Sequence, residues 1–466
     1  MHVNRREFLR KSICAALGGA SLYSALGNLK LVQAAVRQNA FTDYKALVCI
    51  FLYGGNDSLN TIVPTSGAPF TNYKALRGGL AQTTGLHALT PVAGGTPSDG
   101  ANYALHPEMP EMAMLFNSGK AAIVANVGTL LYPTSQLQFQ NGSIAVPPQL
   151  LSHNDQQSQW QTSRPDDANA NGWGGRIADL LHASNSGQVP MSVTVSGTNL
   201  FQRGSVVNQY GIDPGGVTAM NYLGDGPETW IIGDGPIDDD VTAYNALIAA
   251  GTQNHVLERA FADVNSRSIT NYKLVSAALQ SAPTLTTQFP ATDLGSQLAM
   301  VAKLISVRSA LGMSRQVFFV SASNYDTHSD QIGNQDDNLT ELSQAVSAFY
   351  NATKEPALNI ADKVTTFTAS DFGRTLQANS TGTDHGWGGH HFVIGGAVHG
   401  QKFYGTMPSL TSDNNPDDTG YGQIIPTLAV DQYAATLASW FGVASTDLGT
   451  VFPNLGRFSK SNLGFV

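Results

Sequence analysis

Three aspartates of this chain each follow a short apolar run: Asp57 after ALVCIFLY (46–53), Asp326 after QVFFVS (316–321) and Asp371 after VTTFT (364–368). Runs of this length read as strands buried on both faces of a parallel sheet, and the carboxyl ends of such strands form the edge where an open α/β sheet binds its ligands. Imidazoles accompany them. His328 stands two residues beyond Asp326, and DHGWGGHH (384–391) carries His385 and His390 among glycines that let backbone approach a ligand closely. Four of the 11 histidines fall between His385 and His399, a local density that points to a shared task. Mixed carboxylate and imidazole donors suit zinc, manganese or iron better than calcium. Asp57, Asp326, His328, Asp371, His385 and His390 are therefore the candidate metal ligands, whereas His87, His106, His182, His255 and His399 read as structural.

A second group could act on a substrate. Ser152 opens a helical stretch, where backbone N–H groups and the helix dipole stabilise an anion; it is a metal-activated nucleophile, a seat for phosphate or sulfate, or simply an N-cap. His153 beside it reads as a ligand or a general acid/base. Arg374, in SDFGRT (370–375), is placed either to pair with an anionic substrate oxygen or to form a structural salt bridge. There is no Walker loop, no dinucleotide fingerprint after a strand, no Gly-x-Ser-x-Gly elbow and no His-Glu-x-x-His, which removes the commoner nucleotide-binding, α/β-hydrolase and zincin readings.

The elements that must position these residues alternate. The strand-like runs at 46–53, 121–127, 191–195, 316–321, 364–368 and 392–394 are interleaved with helical patterns at 111–117, 152–160, 173–182, about 338–351 and 432–441. Between about 200 and 312 the texture changes to a Gly/Pro/Asp-rich stretch (224–239) and helical patterns at 241–250, 255–282 and 291–310, which reads as a helical cap or insertion.

The first 34 residues read as an address. Paired Arg5-Arg6, then Phe8-Leu9, Arg10-Lys11 and the mildly apolar run 12–26 have the order of a twin-arginine export signal. The run is rich in Gly and Ser and is shorter than the about 20 apolar residues of a membrane span. Its removal takes away five cations and Glu7, moving the formal net charge from −9 to −13. Charged residues make up only 13% of the chain against a usual share of about 25%. Lys/Arg stripes are missing, so a nucleic-acid partner is excluded. Of the two cysteines, Cys14 lies in the signal, leaving Cys49 with no internal disulfide partner. The expected destination is the periplasm or the medium, reached through the twin-arginine translocase, which carries chains already folded and suits those that take up a metal before crossing.

In this order, the signal, FLYGGND (51–57), Ser152-His153, YDTH (325–328), SDFGRT (370–375) and DHG (384–386) resemble a large family of bacterial exported proteins of unknown function, itself similar to the alkaline phosphatase and sulfatase superfamily. The resemblance spans nearly all of the chain after the signal. It implies a three-layer α/β/α sandwich with a mostly parallel central sheet, and two metal ions at the strand ends hydrolysing phosphate or sulfate esters. Carried over, Asp57 and Asp371 match one metal site, Asp326, His328 and either His385 or His390 match the other, and Ser152 stands at the nucleophile position. The chain departs from the superfamily in having Asp371-Phe372 in place of an Asp-His pair and Asp326-x-His328 in place of Asp-x-x-x-His.

The sequence thus points first to an exported hydrolase of phosphate or sulfate esters, dependent on one or two divalent ions, zinc or manganese, with a small-molecule or polymer ester as substrate. A non-catalytic secreted or cell-surface binding protein, with or without one metal, is the competing reading, and an iron or copper redox enzyme on His328, His385 and His390 a third.

Overall fold

The structure is a computed structural model describing residues 41–217, 244, 246–249 and 255–466. The export signal expected over 1–34, the stretch 224–239 and half of the helical pattern at 241–250 lie outside the described residues. Among the described residues, no helix is long and apolar enough to cross a membrane.

The three apolar runs that precede the aspartates lie side by side. Strand β1 (Lys45–Leu52) is flanked by β8 (Arg315–Ala322) and β9 (Val364–Ser370), both parallel to it, with Leu52 paired to Ala322 on one side and to Ser370 on the other. The three strands therefore end at one level, and the loops carrying Asp57, Asp326 and Asp371 start together. The sheet has nine strands, running β13 (Phe403–Gly405), β5 (Ala121–Gly128), β12 (Gly389–Gly395), β9, β1, β8, β6 (Ser192–Thr194) and β7 (Tyr210–Gly211), with β14 (Leu428–Ala429) also beside β5. Strand β12 is antiparallel to β5 and β9, while the other pairings are parallel. Because β12 runs backwards, its beginning lies at the edge where β1, β8 and β9 end. That reversal brings the histidine-rich segment before it to the same edge as the aspartates.

Side chains alternate across a strand, so β1 feeds two cores. Ala46, Val48, Ile50 and Leu52 pack with the helices Pro110–Asn117, Asp293–Ser306 and Gln331–Lys354. Leu47, Cys49 and Phe51 pack on the other side with the helices Trp173–Leu181 and Val430–Phe441. The result is the expected α/β/α sandwich, with a mostly parallel sheet buried on both faces. The helix Asp293–Ser306 falls within the stretch expected as an insertion, yet Leu294, Leu298, Val301 and Ile305 join this first core, so it covers the sheet. The helix expected from about 338 begins at Gln331. Its extra turns were hidden by polar residues, and they carry Gln331 to the site. Two small sheets lie outside the main one: β2 (Ile62–Pro64), β4 (Tyr103–Leu105) and β3 (His87–Ala88), and the hairpin of β10 (Arg374–Ala378) and β11 (Thr383–His385).

Candidate metal centre

Glycine at the end of β1 allows the loops to close on one another. Gly54 has φ +117°, and a Cβ there would lie 2.3 Å from the Asp326 backbone nitrogen, so only glycine lets the β1 and β8 ends approach this closely. The gap is stitched by Arg374, whose side chain is fully buried. Its Nε donates to Gly55 O (2.8 Å), Nη1 to Thr383 O (3.1 Å), and Nη2 to Gly54 O (2.6 Å), Tyr325 O (2.9 Å) and Asp326 Oδ1 (2.6 Å). The expectation that Arg374 meets a substrate anion gives way to the structural alternative: each of its three nitrogens is engaged beneath the site, and it fixes Asp326.

Around Asp326 the imidazoles gather. His153 Nε2 lies 3.4 Å from Asp326 Oδ2, His328 Nε2 lies 3.2 Å and His385 Nε2 3.5 Å from Oδ1, and the His328 and His385 Nε2 atoms are 2.9 Å apart. His153 comes from the first turn of the helix His153–Thr162, Asp326 and His328 from the loop after β8, and His385 from the end of β11. Among the described residues, His153, Asp326 and His385 form the one group of at least three such side chains whose donor atoms all lie within 4.8 Å of one another, and His328 adjoins it.

The far side of each ring is held by an acceptor. His153 Nδ1 faces Asp371 Oδ2 at 2.7 Å, His328 Nδ1 faces Asp384 Oδ1 at 3.1 Å, and His385 Nδ1 faces the Leu151 carbonyl at 2.8 Å. Carboxylates and carbonyls only accept, so Nδ1 carries the proton in each ring, and in the neutral ring Nε2 presents a lone pair. This is the tautomer that binds a metal, held by the carboxylate or carbonyl partners that metal-ligating histidines usually have. Four donors around an ion with bonds of about 2.0–2.1 Å in a tetrahedron would be separated by about 3.3 Å. His153, Asp326 and His385 can share one ion on that scale, whereas His328 lies outside their group. Phe372, at the position where the superfamily pattern has an imidazole, packs its ring on His153 and His385 at centroid distances of 4.9 and 4.6 Å.

Electrostatics follow the contacts. Burial pushes the Asp326 carboxyl up, but the hydrogen bond and charge of Arg374, with His153 and His328, hold it below the usual carboxylate range. The Asp371 hydrogen bond raises the His153 ring against the opposing effect of burial. His385 is lowered, first by burial and then by the neighbouring His153, Arg374 and His328 charges, although its Leu151 hydrogen bond acts the other way.

The remaining expected residues fall elsewhere. Asp57 is 2% exposed and is not in the cluster: Arg77 grips it through Nη1 to Oδ2 (2.6 Å) and Nη2 to Oδ1 (2.8 Å). Asp371 is wholly buried and turns Oδ2 to Gly54 N, His153 Nδ1 and Gln157 Nε2, while its Oδ1 has no partner. Asp57 and Asp371, expected to share an ion, are thus each tied to other groups. His390 is also buried, and its Nδ1 accepts from Asn126 N (3.0 Å), so in the neutral ring Nε2 bears the proton and offers no lone pair. Burial holds that ring at a pKa of about 4. Of the two histidines the resemblance left open, the structure brings His385 to Asp326. Ser152 precedes the helix, yet its hydroxyl makes no cap and instead donates to Asp155 Oδ2 at 2.7 Å. Arg77, Leu151, Gln157 and Asp384 were not anticipated. Only Asp384, adjacent to His385, had a positional signal.

The family described as "Protein of unknown function (DUF1501)" matches residues 44–431. No curated protein matches the chain. Among solved structures, Ps i-CgsB in complex with k-i-k-neocarrahexaose is similar at 10% identity and a TM-score of 0.34, over 90% of this chain and 78% of that one. A 2-O GAG sulfatase is similar at 12% identity and 0.31, over 86% and 71%. The PsFucS1 sulfatase from Pseudoalteromonas sp. is similar at 11% and 0.33, over 94% and 77%.

Proposed function

The chain belongs to the DUF1501 family of unknown function, and we propose that it is an exported, metal-dependent hydrolase of phosphate or sulfate esters. The observation that carries the metal is the convergence of His153, Asp326 and His385, whose donor atoms all lie within 4.8 Å of one another. In neutral rings the adjoining His328 and His385 Nε2 lone pairs, 2.9 Å apart, would repel one another unless a cation or a shared proton engages them. Asp326, His385 and His153 would hold a divalent ion, zinc or manganese by the chemistry of the donors, and His328 would become a fourth ligand by turning in toward it. Such an ion polarises an ester oxygen and neutralises charge that develops on it.

The chain's own residues supply the rest. Ser152 lies in sequence between Leu151, whose carbonyl holds His385, and His153, which reaches Asp326, and this supports it as the nucleophile. Asp155 accepts the Ser152 proton at 2.7 Å as Oγ attacks phosphorus or sulfur. The Oγ–P or Oγ–S bond forms, the bond to the ester oxygen breaks, and the leaving oxygen takes the proton that Asp155 accepted, so the alcohol departs neutral and Asp155 is again a carboxylate. Water then hydrolyses the serine ester. The N-terminal order Arg5-Arg6, Phe8-Leu9 supports export through the twin-arginine pathway, with residues 35–466 as the mature α/β domain.

One observation favours the second reading, a non-catalytic exported binding protein. His328 Nε2 lies 2.9 Å from His385 Nε2, and by turning in it would close a tetrahedral site, as structural zinc sites are closed, whereas catalytic ones keep a position open. Turnover of aryl phosphates and aryl sulfates by the metal-loaded, signal-free protein decides between them. The hydrolase reading expects turnover in the parent chain and its loss in Ser152→Ala with the ion retained. An ion-loaded parent chain that turns over neither ester class supports the binding protein.

A further inference from the structure

Two carboxylates at the same sheet edge face cations of different kinds. Asp326 sits among lone pairs that call for a metal. Asp57 sits against a guanidinium that is already there. An ionised carboxylate offers about four lone-pair positions. Asp57 receives Arg77 Nη2, Leu59 N and Asn60 N on Oδ1 at 2.8, 3.2 and 3.4 Å, and Arg77 Nη1 and Gln331 Nε2 on Oδ2 at 2.6 and 2.5 Å. Its capacity is filled, and both partners of the Arg77–Asp57 pair have side chains only 1% exposed. A metal ion could reach Asp57 only by expelling a buried guanidinium, which would then be left as an unpaired charge.

The other half of a second site is turned away as well. The Asp371 oxygen that makes contacts serves the His153 ring, Gly54 N and Gln157. Its free Oδ1 lacks the companions an ion needs, because among the described residues no group of metal-ligating side chains includes Asp371 or Asp57. His153 instead spans the gap, with Nδ1 on Asp371 and Nε2 toward Asp326.

We infer that the centre takes a single divalent ion, on Asp326, His153 and His385 with His328 beside them, and that the Arg77 guanidinium stands in for a second cation beside Asp57. The inference rests on the metal reading above and departs from the two-ion arrangement that the superfamily resemblance implies. Arg77 supplies a fixed positive charge at that position without a dissociable ion, and Asp371 acts as a positioning residue for the His153 ring.

The test is stoichiometry, read by elemental analysis and by calorimetric titration of the metal-stripped, signal-free chain with Zn²⁺. One ion per chain is expected, lost in His385→Ala and retained in Asp57→Asn. Cobalt provides a second readout: the Co²⁺-loaded chain should show one saturable set of visible bands at one equivalent. Asp57→Asn leaves Arg77 unpaired and is a folding risk, so the double variant Asp57→Asn/Arg77→Met, which removes both charges, is prepared beside it and should also bind one ion. Two ions per chain, the second lost with Asp57, would overturn the single-ion inference while leaving the metal reading in place. No ion in the parent chain under any loading condition would overturn the metal reading itself, and this inference with it.

Discussion

Asp326 and Asp57 follow adjacent parallel strands and come within one loop of each other, yet their surroundings are opposite. Asp326 is half-exposed, with a side chain 46% accessible, and takes one guanidinium hydrogen bond while three imidazole nitrogens turn lone pairs toward it. Asp57 is buried and filled by donors. The strand-end position is therefore permissive rather than sufficient. What decides whether a carboxylate there can ligate is which residues the flanking helices deliver to it. The Asp330–Gln331 turn and the helix Gly67–Arg77 deliver donors to Asp57, whereas the hairpin of β10 and β11 and the helix His153–Thr162 deliver imidazoles to Asp326.

The comparison breaks most visibly at Arg77. Replacing it with alanine leaves Asp57 as a buried carboxylate without its counter-ion, a change that costs about 3–5 kcal/mol of stability. Denaturant unfolding of Arg77→Ala against the parent chain should show that loss, and Asp57→Asn/Arg77→Met should recover most of it. A Cm unchanged in Arg77→Ala would mean that the pair does not carry the closure argued for it.

A third buried carboxylate sharpens the contrast, because among the described residues no cation forms an ion pair with it, although the nearby Ser163 hydroxyl and the charge of Arg176 act to lower its pKa. Asp431, in the first turn of the helix Val430–Phe441, is 1% exposed, its Oδ1 has no partner, and burial raises its pKa to about 7. The unfolded carboxyl titrates near about 3.9. Between those values the unfolded chain has released the proton and the folded chain still binds it, so this group's contribution to stability falls as pH rises from about 4 to about 7 and is flat above. Three pKa units correspond to at most about 4 kcal/mol. In Asp431→Asn the difference in unfolding free energy between pH 4.5 and pH 7.5 should shrink by a few kcal/mol; an identical pH profile in variant and parent would refute the assignment.

Much of the frame was legible. Strands β1, β8 and β9 are apolar because both of their faces are covered, and that burial made Asp57, Asp326 and Asp371 readable as strand-end residues. The partners were not legible, since each is distant in sequence: Arg77 reaches Asp57 across 20 residues, and His153 reaches Asp371 across 218. The choice of His385 over His390 depends on the backbone N–H of Asn126 occupying the His390 Nδ1, a contact across 264 residues that no local pattern encodes. Ser152 looked like an N-cap because its type suits one, but Asp155 takes the hydroxyl instead. Arg374 read equally as an anion receptor or a structural ion pair, and its bonds to Gly54 O, Gly55 O and Tyr325 O make it an internal clamp.

The smallest expected effect separates ligands from the groups that aim them. Asp384 does not contact Asp326; it holds the His328 Nδ1 proton at 3.1 Å and is itself held by Asn379 Nδ2 at 2.7 Å. Its side chain is 60% exposed, so its replacement leaves the fold intact. Loss of an acceptor behind a ligating imidazole typically weakens metal binding by about 10–100-fold. Asp384→Asn keeps the shape but can present an amide N–H to the ring, which favours the tautomer with the lone pair on Nδ1. Zn²⁺ affinity should therefore fall by about 10–100-fold while stoichiometry stays at one ion. Asp371→Asn, acting on His153 in the same way but from a buried position, should weaken binding more, since no water can take over the acceptor's place. Equal affinities for the parent chain and Asp384→Asn would show that His328 is a neighbour of the centre rather than its fourth ligand, and would reduce the ligand set to His153, Asp326 and His385 with one position open.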